Sequence, residues 1–339
     1  MCRMAKDNDK EVNTNASPTA YGWVFQVGAG IKLVLDNMKE FTSLKMEGAS
    51  DDIELNFENG TIYAQAKSVT QIGDQRSASK NLKDSLRLLI SDAANGDALK
   101  LIYITNIINP LSSKMKDAFR YEQSYDYSVL PTEDQEKIKK IVGEDFPLDK
   151  FQVHILNFFG EGDNKFKFVK DKIAEFLRDA IDDPSYNKNL LDAWFETFMV
   201  NCADIPDTDK RVNLSKKNIV MPVIVLVIGN PLGEDEFSKV SDYDDYYEIE
   251  QEFRNIINRQ ICDYEFVAEV TGDFLYKRSM ETVTSGYKYK YVKCEWKQYE
   301  DRFSSIKDEE KKEALIKLIL LTIITRRGKI EKIKEAVSL

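Results

Sequence analysis

The sequence predicts an α/β domain, with a mixed sheet flanked by helices, followed by a mainly helical C-terminal region. Three observations indicate this fold class. The dipeptide Asn59-Gly60 separates two short runs of alternating apolar residues, as in a β-hairpin. Apolar strand-like runs then alternate with amphipathic helical patterns up to Pro231. Beyond Pro231 the apolar spacing is mainly helical.

Ser17-Pro18 opens the first predicted helix, over about 17–41, because it supplies an N-cap and a proline at the first helical position. Gln26 lies beside the apolar stripe of this helix, one turn after Gly22. A glycine there allows a backbone or a ligand to approach closely. The alternative interpretation of Gln26 is a surface amide.

The other elements follow in order. A strand over 43–47 and the hairpin over 50–68 precede a helix over 74–94, whose outer faces carry Arg76, Lys80, Lys83 and Arg87. Further strands are predicted over 99–108, 151–159 and 218–231. Further helices are predicted over 131–143, 167–181, 187–202, 245–266, 287–303 and 308–337.

The turn fixes the predicted register of the hairpin. A two-residue loop at the Asn-Gly dipeptide makes the numbers of paired residues sum to 119, and the apolar residues of both strands then share one face. On the other face, Asp52 lies opposite Lys67 and Glu54 opposite Gln65, about 5 Å apart. The alternative is a solvated polar face with a cross-strand ion pair.

Composition limits the class of protein. The chain has 339 residues, 42% of them hydrophobic and 31% charged, which is enough for one large or two modest domains. Its longest apolar runs, "IVMPVIVLVIG" and "ALIKLILLTIIT", are shorter than the ~20 residues needed to span a bilayer. Residues 1–16 are polar and lack the apolar segment of a secretory signal. We therefore expect a disordered tail over 1–16 and a cytoplasmic protein with no membrane partner.

The single histidine and the spread of the cysteines disfavour several mechanisms. His154 stands in the apolar run "FQVHILNFF", so a core or strand-edge position is the preferred interpretation over a catalytic one. The four cysteines are far apart with no CxxC, which disfavours a zinc ribbon or a disulfide framework. No GxxxxGK[ST] motif occurs, so the chain carries no P-loop. The net charge of −10 does not exclude DNA, because binding depends on where the lysines lie.

The order of the polar residues resembles the PD-(D/E)XK restriction-endonuclease-like nucleases. Gln26 lies on the first helix, Asp52 on one strand of the hairpin, and Gln65-Ala66-Lys67 on the next, with a separation of 65 − 52 = 13. The segments "GWVFQ", "EGASDDIEL" and "NGTIYAQAKS" are similar to effector nucleases of antiphage systems, namely the CBASS nuclease domains and the Lamassu nuclease subunits. The helical C-terminal third favours the Lamassu-like type. The resemblance implies a restriction-endonuclease-like core.

The resemblance also implies a Mg²⁺ or Mn²⁺ site on the hairpin. Its ligands would be the Asp52 carboxylate, the Gln65 side chain and the Ala66 carbonyl. Gln65 stands where the family more often has Glu, so the site would hold metal weakly until DNA phosphate completes it. Glu47, at the end of the preceding strand, is the preferred additional ligand, and Glu54 is the alternative.

Two further residues complete the implied catalytic set. Lys67 would orient the attacking water and stabilise the charge that builds on the phosphate. Gln26 would reach the metal directly or through water. Asp51 is expected to point to the face opposite Asp52, and the two exchange roles if the strand slips or bulges.

The resemblance implies a metal-dependent DNA endonuclease, held inactive by partner subunits until infection. It assigns residues 17–232 to the nuclease-like domain and 233–339 to a helical region for partner binding or oligomerisation. Its partners would be double-stranded DNA, an SMC-like ATPase subunit and a small accessory subunit, and the active form would be a homo-oligomer. One alternative is a catalytically weak or inactive DNA-binding scaffold with a degenerate nuclease fold. Another is a helical adaptor whose α/β part is only structural.

An apolar stripe on the last predicted helix has two interpretations. It consists of Leu315, Leu318, Leu321, Ile324, Ile330 and Ile333. It is either a docking surface for an inhibiting partner or another copy of the chain, or it packs on the core of this chain.

Overall fold

A computed structural model describes residues 17–47, 52–71, 74–111, 122–160, 162–203, 213–257, 263–281 and 286–339. The predicted tail over 1–16 lies outside these ranges. The strands of the described residues are β1 Ser43–Met46, β2 Ile53–Phe57, β3 Gly60–Lys67, β4 Ala98–Thr105, β5 Gln123–Asp126, β6 Phe151–Ile155 and β7 Leu214–Ser215. They form one mixed sheet in the order β5-β6-β4-β3-β2-β1-β7. β3, β4 and β6 are parallel neighbours, and the other pairs are antiparallel.

Helices cover both faces of this sheet and form the C-terminal region. They are α1 Ser17–Asp36, α2 Gln75–Ala93, α3 Thr132–Val142, α4 Lys167–Ile181, α5 Asn187–Ala203, α6 Lys216–Ile228, α7 Glu234–Phe237, α8 Tyr246–Ile257, α9 Tyr264–Ser279, α10 Tyr287–Glu295 and α11 Glu309–Val337. The arrangement confirms the predicted α/β class with a mixed sheet, flanking helices and a helical C-terminal region. No described helix combines the length and the apolar character that crossing a membrane requires.

The two faces of the sheet bury different sets of helices because side chains alternate along each strand. Ile53 and Ala64 belong to the face that packs with α1, α4 and α5. Tyr63 and Tyr103 belong to the other face, which packs with the apolar sides of α2 and α3. The apolar face predicted for the hairpin is therefore confirmed. The alternative of a solvated polar face is wrong, because α2 covers that face, and Asp52 directly precedes β2.

The predicted register of the hairpin is wrong by two residues. Phe57 pairs with Gly60 and Ile53 with Ala64, so paired numbers sum to 117 instead of 119, and Glu58 and Asn59 form the loop. Gly60 has φ +149, and a Cβ there would lie 2.3 Å from the backbone oxygen of Asp97. Gly60 is thus required by its close approach to the residue before β4, not by the turn. Because the slip is an even number, no side chain changes face.

The apolar run over 218–231 is a helix, not the predicted buried strand. Ser215 and Asn218 form a capping box that starts α6. The buried residues of α6 share one face, but the half-buried positions on the other face, such as Val225 and Leu226, are apolar too, and Pro222 lies inside the helix. A helix that is apolar all round gives no helical period, so its sequence resembles that of a central strand.

The last helix lies inside the molecule. Fourteen residues of α11 are buried, including all six of the predicted apolar stripe. α11 packs on α4 and α6 as well as on α8, α9 and α10. One apolar cluster therefore joins α1, the sheet and α11, across the predicted boundary at 232/233. Packing on the chain's own core is confirmed as the interpretation of this stripe. Partner binding by other surfaces of 233–339 stays a prediction.

Candidate metal and catalytic site

The candidate site lies where β3 continues past the end of β2. The last antiparallel pair is Ile53 with Ala64, whereas the parallel ladder to β4 continues to Lys67 opposite Thr105. One edge of residues 65–67 therefore has no β2 partner. This is also the carboxyl end of the parallel strands, the edge at which open α/β sheets place their ligands.

Asp52 takes the place of the missing strand partner. Its Oδ2 accepts a 2.7 Å hydrogen bond from the Ala66 N–H, and its Oδ1 accepts a 2.9 Å bond from Lys67 Nζ. Asp52 is 6% exposed. The bond from the Ala66 N–H is buried and therefore strong, whereas the bond from Lys67 is partly buried and is weakened by solvent screening. The N–H and C=O of one strand residue project to the same edge. The Ala66 carbonyl therefore faces the side that Asp52 occupies, as a ligand would have to.

Glu47 lies directly across from Asp52. Its backbone N–H donates to the Asp52 carbonyl at 2.9 Å, one step beyond the last β1–β2 pair. Its φ of 52 is left-handed, so the chain turns sharply out of β1 at this residue. Two acidic residues thus lie on neighbouring strand ends. Asp51 lies outside the described residues, so its predicted exchange with Asp52 stays a prediction.

Glu54, the alternative ligand, has another partner. It faces Lys45 across the β1–β2 pair and forms a 3.3 Å ion pair with it. This ion pair gives Glu54 a partner on the neighbouring strand. The choice of Glu47 over Glu54 as the additional ligand stays a prediction.

Gln65 is fully buried beside this pair. Its strand neighbour on β4 is Tyr103, which is also fully buried. A neutral amide is easier to bury here than the Glu that the family more often carries, because desolvation penalises a charge more than a dipole. Burial therefore explains why a neutral residue stands at position 65. The ligand role of Gln65 stays a prediction.

Gln26 is buried on α1, and among the described residues it forms no hydrogen bond with Asp52, Ala66 or Lys67. It is 8% exposed on α1, so the surface-amide interpretation is wrong. It lies one turn before Gly30, where a Cβ would come within 2.9 Å of Met46 Sδ at the end of β1. Gly22 has open space around its Cβ position, so the close approach occurs at Gly30 instead. Among the described residues, none is hydrogen-bonded to Gln26.

Asn106 is a residue of this edge that sequence reasoning missed. Its Oδ1 accepts from the Val69 N–H, and its Nδ2 donates to the Val69 carbonyl, both at 2.8 Å. The side-chain amide thus holds the exit of β3 two residues after Lys67 and fixes the direction in which the strand leaves. The signal that the sequence offers is an asparagine directly after the apolar run that forms β4.

Cys202 lies close enough to Glu47 and Asp52 to be affected by their negative charge. Burial raises the pKa of its thiol to about 12, and the negative charges of Glu47 and Asp52 add to this effect. The neighbouring Asn201 Oδ1 accepts from the Met46 N–H at 3.1 Å, so the end of α5 is fixed against the end of β1. Cys202 and Cys294 are free thiols. Cys2 and Cys262 lie outside the described residues.

His154 is a core residue, as predicted. It is 6% exposed on β6, where burial and the charge of Lys32 lower its pKa to about 3 against the opposite effect of Asp36. Its Nε2 lies 3.1 Å from Gln152 Oε1. The imidazole therefore stays neutral at physiological pH.

The oxygen donors here fit Mg²⁺ or Mn²⁺ in kind, since both prefer carboxylate and carbonyl oxygens. These donors carry little negative charge. Gln65 is neutral, and Asp52 already accepts from Lys67. Within the part of the chain that the structure describes, no three His, Cys, Asp or Glu side chains are grouped as a metal site.

Comparisons with known proteins leave the family open. No protein-family model matches the chain, and no curated protein does. A solved structure that it is similar to is a Moraxella osloensis Cap4 SAVED/CARF-domain containing receptor, with 14% sequence identity and a TM-score of 0.39. The similarity covers 76% of this chain and 61% of the receptor chain. A TM-score this low assigns neither a fold family nor an activity.

Proposed function

We propose that this chain is a metal-dependent DNA endonuclease of an antiphage defence complex, with a restriction-endonuclease-like core that partner subunits hold inactive until infection. The observation that carries the proposal is the meeting of Asp52, the Ala66 backbone and Lys67 where β3 continues past β2. An acid, a backbone carbonyl and an ammonium then stand at the carboxyl end of parallel strands. The resemblance of the local sequence supports the defence role, the SMC-like ATPase partner and the active homo-oligomer.

Each residue has a role that follows from its position. Asp52, the Ala66 carbonyl and Glu47 would hold Mg²⁺ or Mn²⁺, with Gln65 beside them. When bound, the metal would polarise the phosphate and lower the pKa of the attacking water. The Lys67 ammonium lies 2.9 Å from the Asp52 carboxylate. There it would offset the charge that builds on the phosphate oxygens.

The direct test is cleavage of DNA by purified full-length protein, alone and together with the proteins encoded beside it. We expect cutting that depends on added Mg²⁺ or Mn²⁺. Asp52→Asn should lower the rate by at least about 100-fold. The Asn amide oxygen can still accept from the Ala66 N–H, so the strand ends stay in place. If wild type and Asp52→Asn cleave DNA at equal rates, Asp52 has no part in catalysis.

Gln65→Glu provides a test that does not depend on activity. Because position 65 is fully buried beside Asp52, a second carboxylate there should lower the melting temperature by several degrees without metal. Saturating Mg²⁺ should restore it, since the new anionic ligand tightens binding. Gln123→Glu, at an exposed position of β5, is the control and should melt independently of Mg²⁺. If Mg²⁺ does not change the melting temperature of Gln65→Glu, Gln65 is excluded as a ligand.

A DNA-binding scaffold with a degenerate nuclease fold is the second candidate. The neutral Gln65 and the Asp52–Lys67 ion pair favour it, because both reduce the negative charge open to a metal. Under this alternative the protein binds DNA, and metal ions change neither its melting temperature nor the DNA.

A further inference from the structure

The outer face of α2 carries an exposed basic stripe, which consists of Arg76, Lys80, Lys83 and Arg87. At 100° per residue these positions fall within about 60° of one another, and at 1.5 Å per residue they span about 16 Å. The opposite side of α2 is buried through Leu82, Leu86 and Leu89. The stripe therefore has no part in packing the helix.

The stripe is unfavourable for the helix that carries it. Its members lie three or four residues apart, so neighbouring positive charges repel. Arg76 also stands in the first turn, which has no acidic residue, where the helix dipole disfavours a cation. Two carboxylates offset part of this charge: Arg87 lies 3.6 Å from Asp84, and the N-cap Asp74 interacts electrostatically with Arg76. A partner of negative charge would relieve this repulsion.

The N-terminal half of α2 lies against the exit of β3. Ala78 packs with Val69 and Ile107, and Asn81 Nδ2 lies 3.5 Å from the Ser68 carbonyl, one residue beyond Lys67. The first members of the stripe are therefore on the same edge of the sheet as the candidate site. The stripe continues from there along the outside of the molecule.

We infer that the basic stripe of α2 binds the phosphate backbone of duplex DNA and so positions the DNA at the candidate site. This inference rests on the proposed function for its substrate. B-DNA presents one phosphate per 3.4 Å of axis on each strand, so 16 Å of helix matches about five phosphates. Contacts of this kind fix orientation without reading sequence. They also give an acidic protein one local surface that DNA does not repel.

The test is the salt dependence of DNA binding, measured by fluorescence anisotropy of a labelled duplex with full-length protein in EDTA. The stripe variant combines Arg76→Gln, Lys80→Gln and Lys83→Gln. Loss of three phosphate contacts should reduce the slope of log affinity against log salt by about 2.7, from 0.9 per contact. Between 50 and 200 mM salt, wild type should then lose about 40-fold more affinity than the variant.

A matched control combines Lys293→Gln, Lys297→Gln and Lys329→Gln, which are exposed and change the net charge equally. It should keep the wild-type slope. The inference is overturned if the stripe variant keeps that slope too, or if the control loses as much. It is also overturned if the stripe variant loses a protein partner instead. If wild type cleaves DNA but the stripe variant keeps the wild-type salt slope, only the proposed role of the stripe is refuted. A wild-type protein that binds no DNA would refute the proposed substrate as well.

Discussion

Lys67→Ala should abolish DNA cleavage and leave a folded protein. Lys67 Nζ lies 2.9 Å from Asp52 Oδ1, at the carbonyl edge of Ala66, and is the ammonium that the candidate site offers to a phosphate. Removing it should lower the rate by at least about 100-fold, because charge stabilisation in the transition state is commonly worth several kcal/mol. The measurement is cleavage under single-turnover conditions at saturating Mg²⁺ or Mn²⁺.

The cost to stability should be small by comparison. The Lys67 side chain is 31% exposed, and Asp52 keeps its bond from the Ala66 N–H. After allowance for solvent screening, losing the pair should cost about 1–2 kcal/mol. Circular dichroism should therefore be unchanged, and the melting temperature should fall only by a few degrees.

Lys45→Ala is the matched control for this substitution. Lys45 forms the neighbouring ion pair with Glu54 on the same side of the sheet, at 3.3 Å. Its removal costs stability in the same way but touches neither Asp52 nor Ala66. Cleavage should therefore persist. If Lys45→Ala and Lys67→Ala lose activity equally, the site assignment has confused a structural ion pair with a catalytic group.

The hairpin illustrates what sequence can predict. Alternation with period two determined which face each side chain occupies, and the structure confirms that face. It did not determine the register, because Gly60 serves a close approach to Asp97 that depends on a strand nearly forty residues further on. Asp52 and Lys67 nevertheless meet, since a two-residue slip leaves them as diagonal neighbours.

Contacts distant in sequence set the limits of prediction elsewhere. Asn106 could be noticed as an amide in an apolar run, but its partner Val69 follows only from the β3–β4 pairing. The run over 218–231 had no period, so only the capping box at Ser215 distinguished helix from strand. The charged segment before β6 hid the short edge strand β5, which has no buried side chain.

One apolar cluster crosses the predicted domain boundary at 232/233, and the sequence did not show this for a related reason. A change of composition after Pro231 is visible in the sequence, whereas the surface that buries the later helices is not. α11 inserts Leu318, Ile319 and Leu320 into the cluster that also contains α6. Residues 17–232 therefore depend on the chain beyond them for part of their core.

A chain that ends after Leu232 should fail to fold. α11 buries fourteen residues, of which eleven are Leu, Ile or Val. Each such side chain contributes about 1.5–3 kcal/mol on burial, whereas the net stability of a domain is only about 5–15 kcal/mol. Truncation would also expose the apolar side of α6. We expect insoluble protein, or soluble protein without a cooperative thermal transition.

Point substitutions separate this effect from the removal of a partner-binding region. Ile319→Asp places a charge at a fully buried position and should unfold the full-length chain, whereas Ile319→Val should cost about 0.5–1.5 kcal/mol. Tyr276→Ser, at a position 63% exposed on α9, is the control and should melt like wild type. A soluble 1–232 chain that melts cooperatively and cuts DNA would make residues 233–339 a separate control module. An unfolded 1–232 chain instead means that loss of activity on truncation says nothing about partners, so partner surfaces must be mapped with exposed substitutions in the full chain.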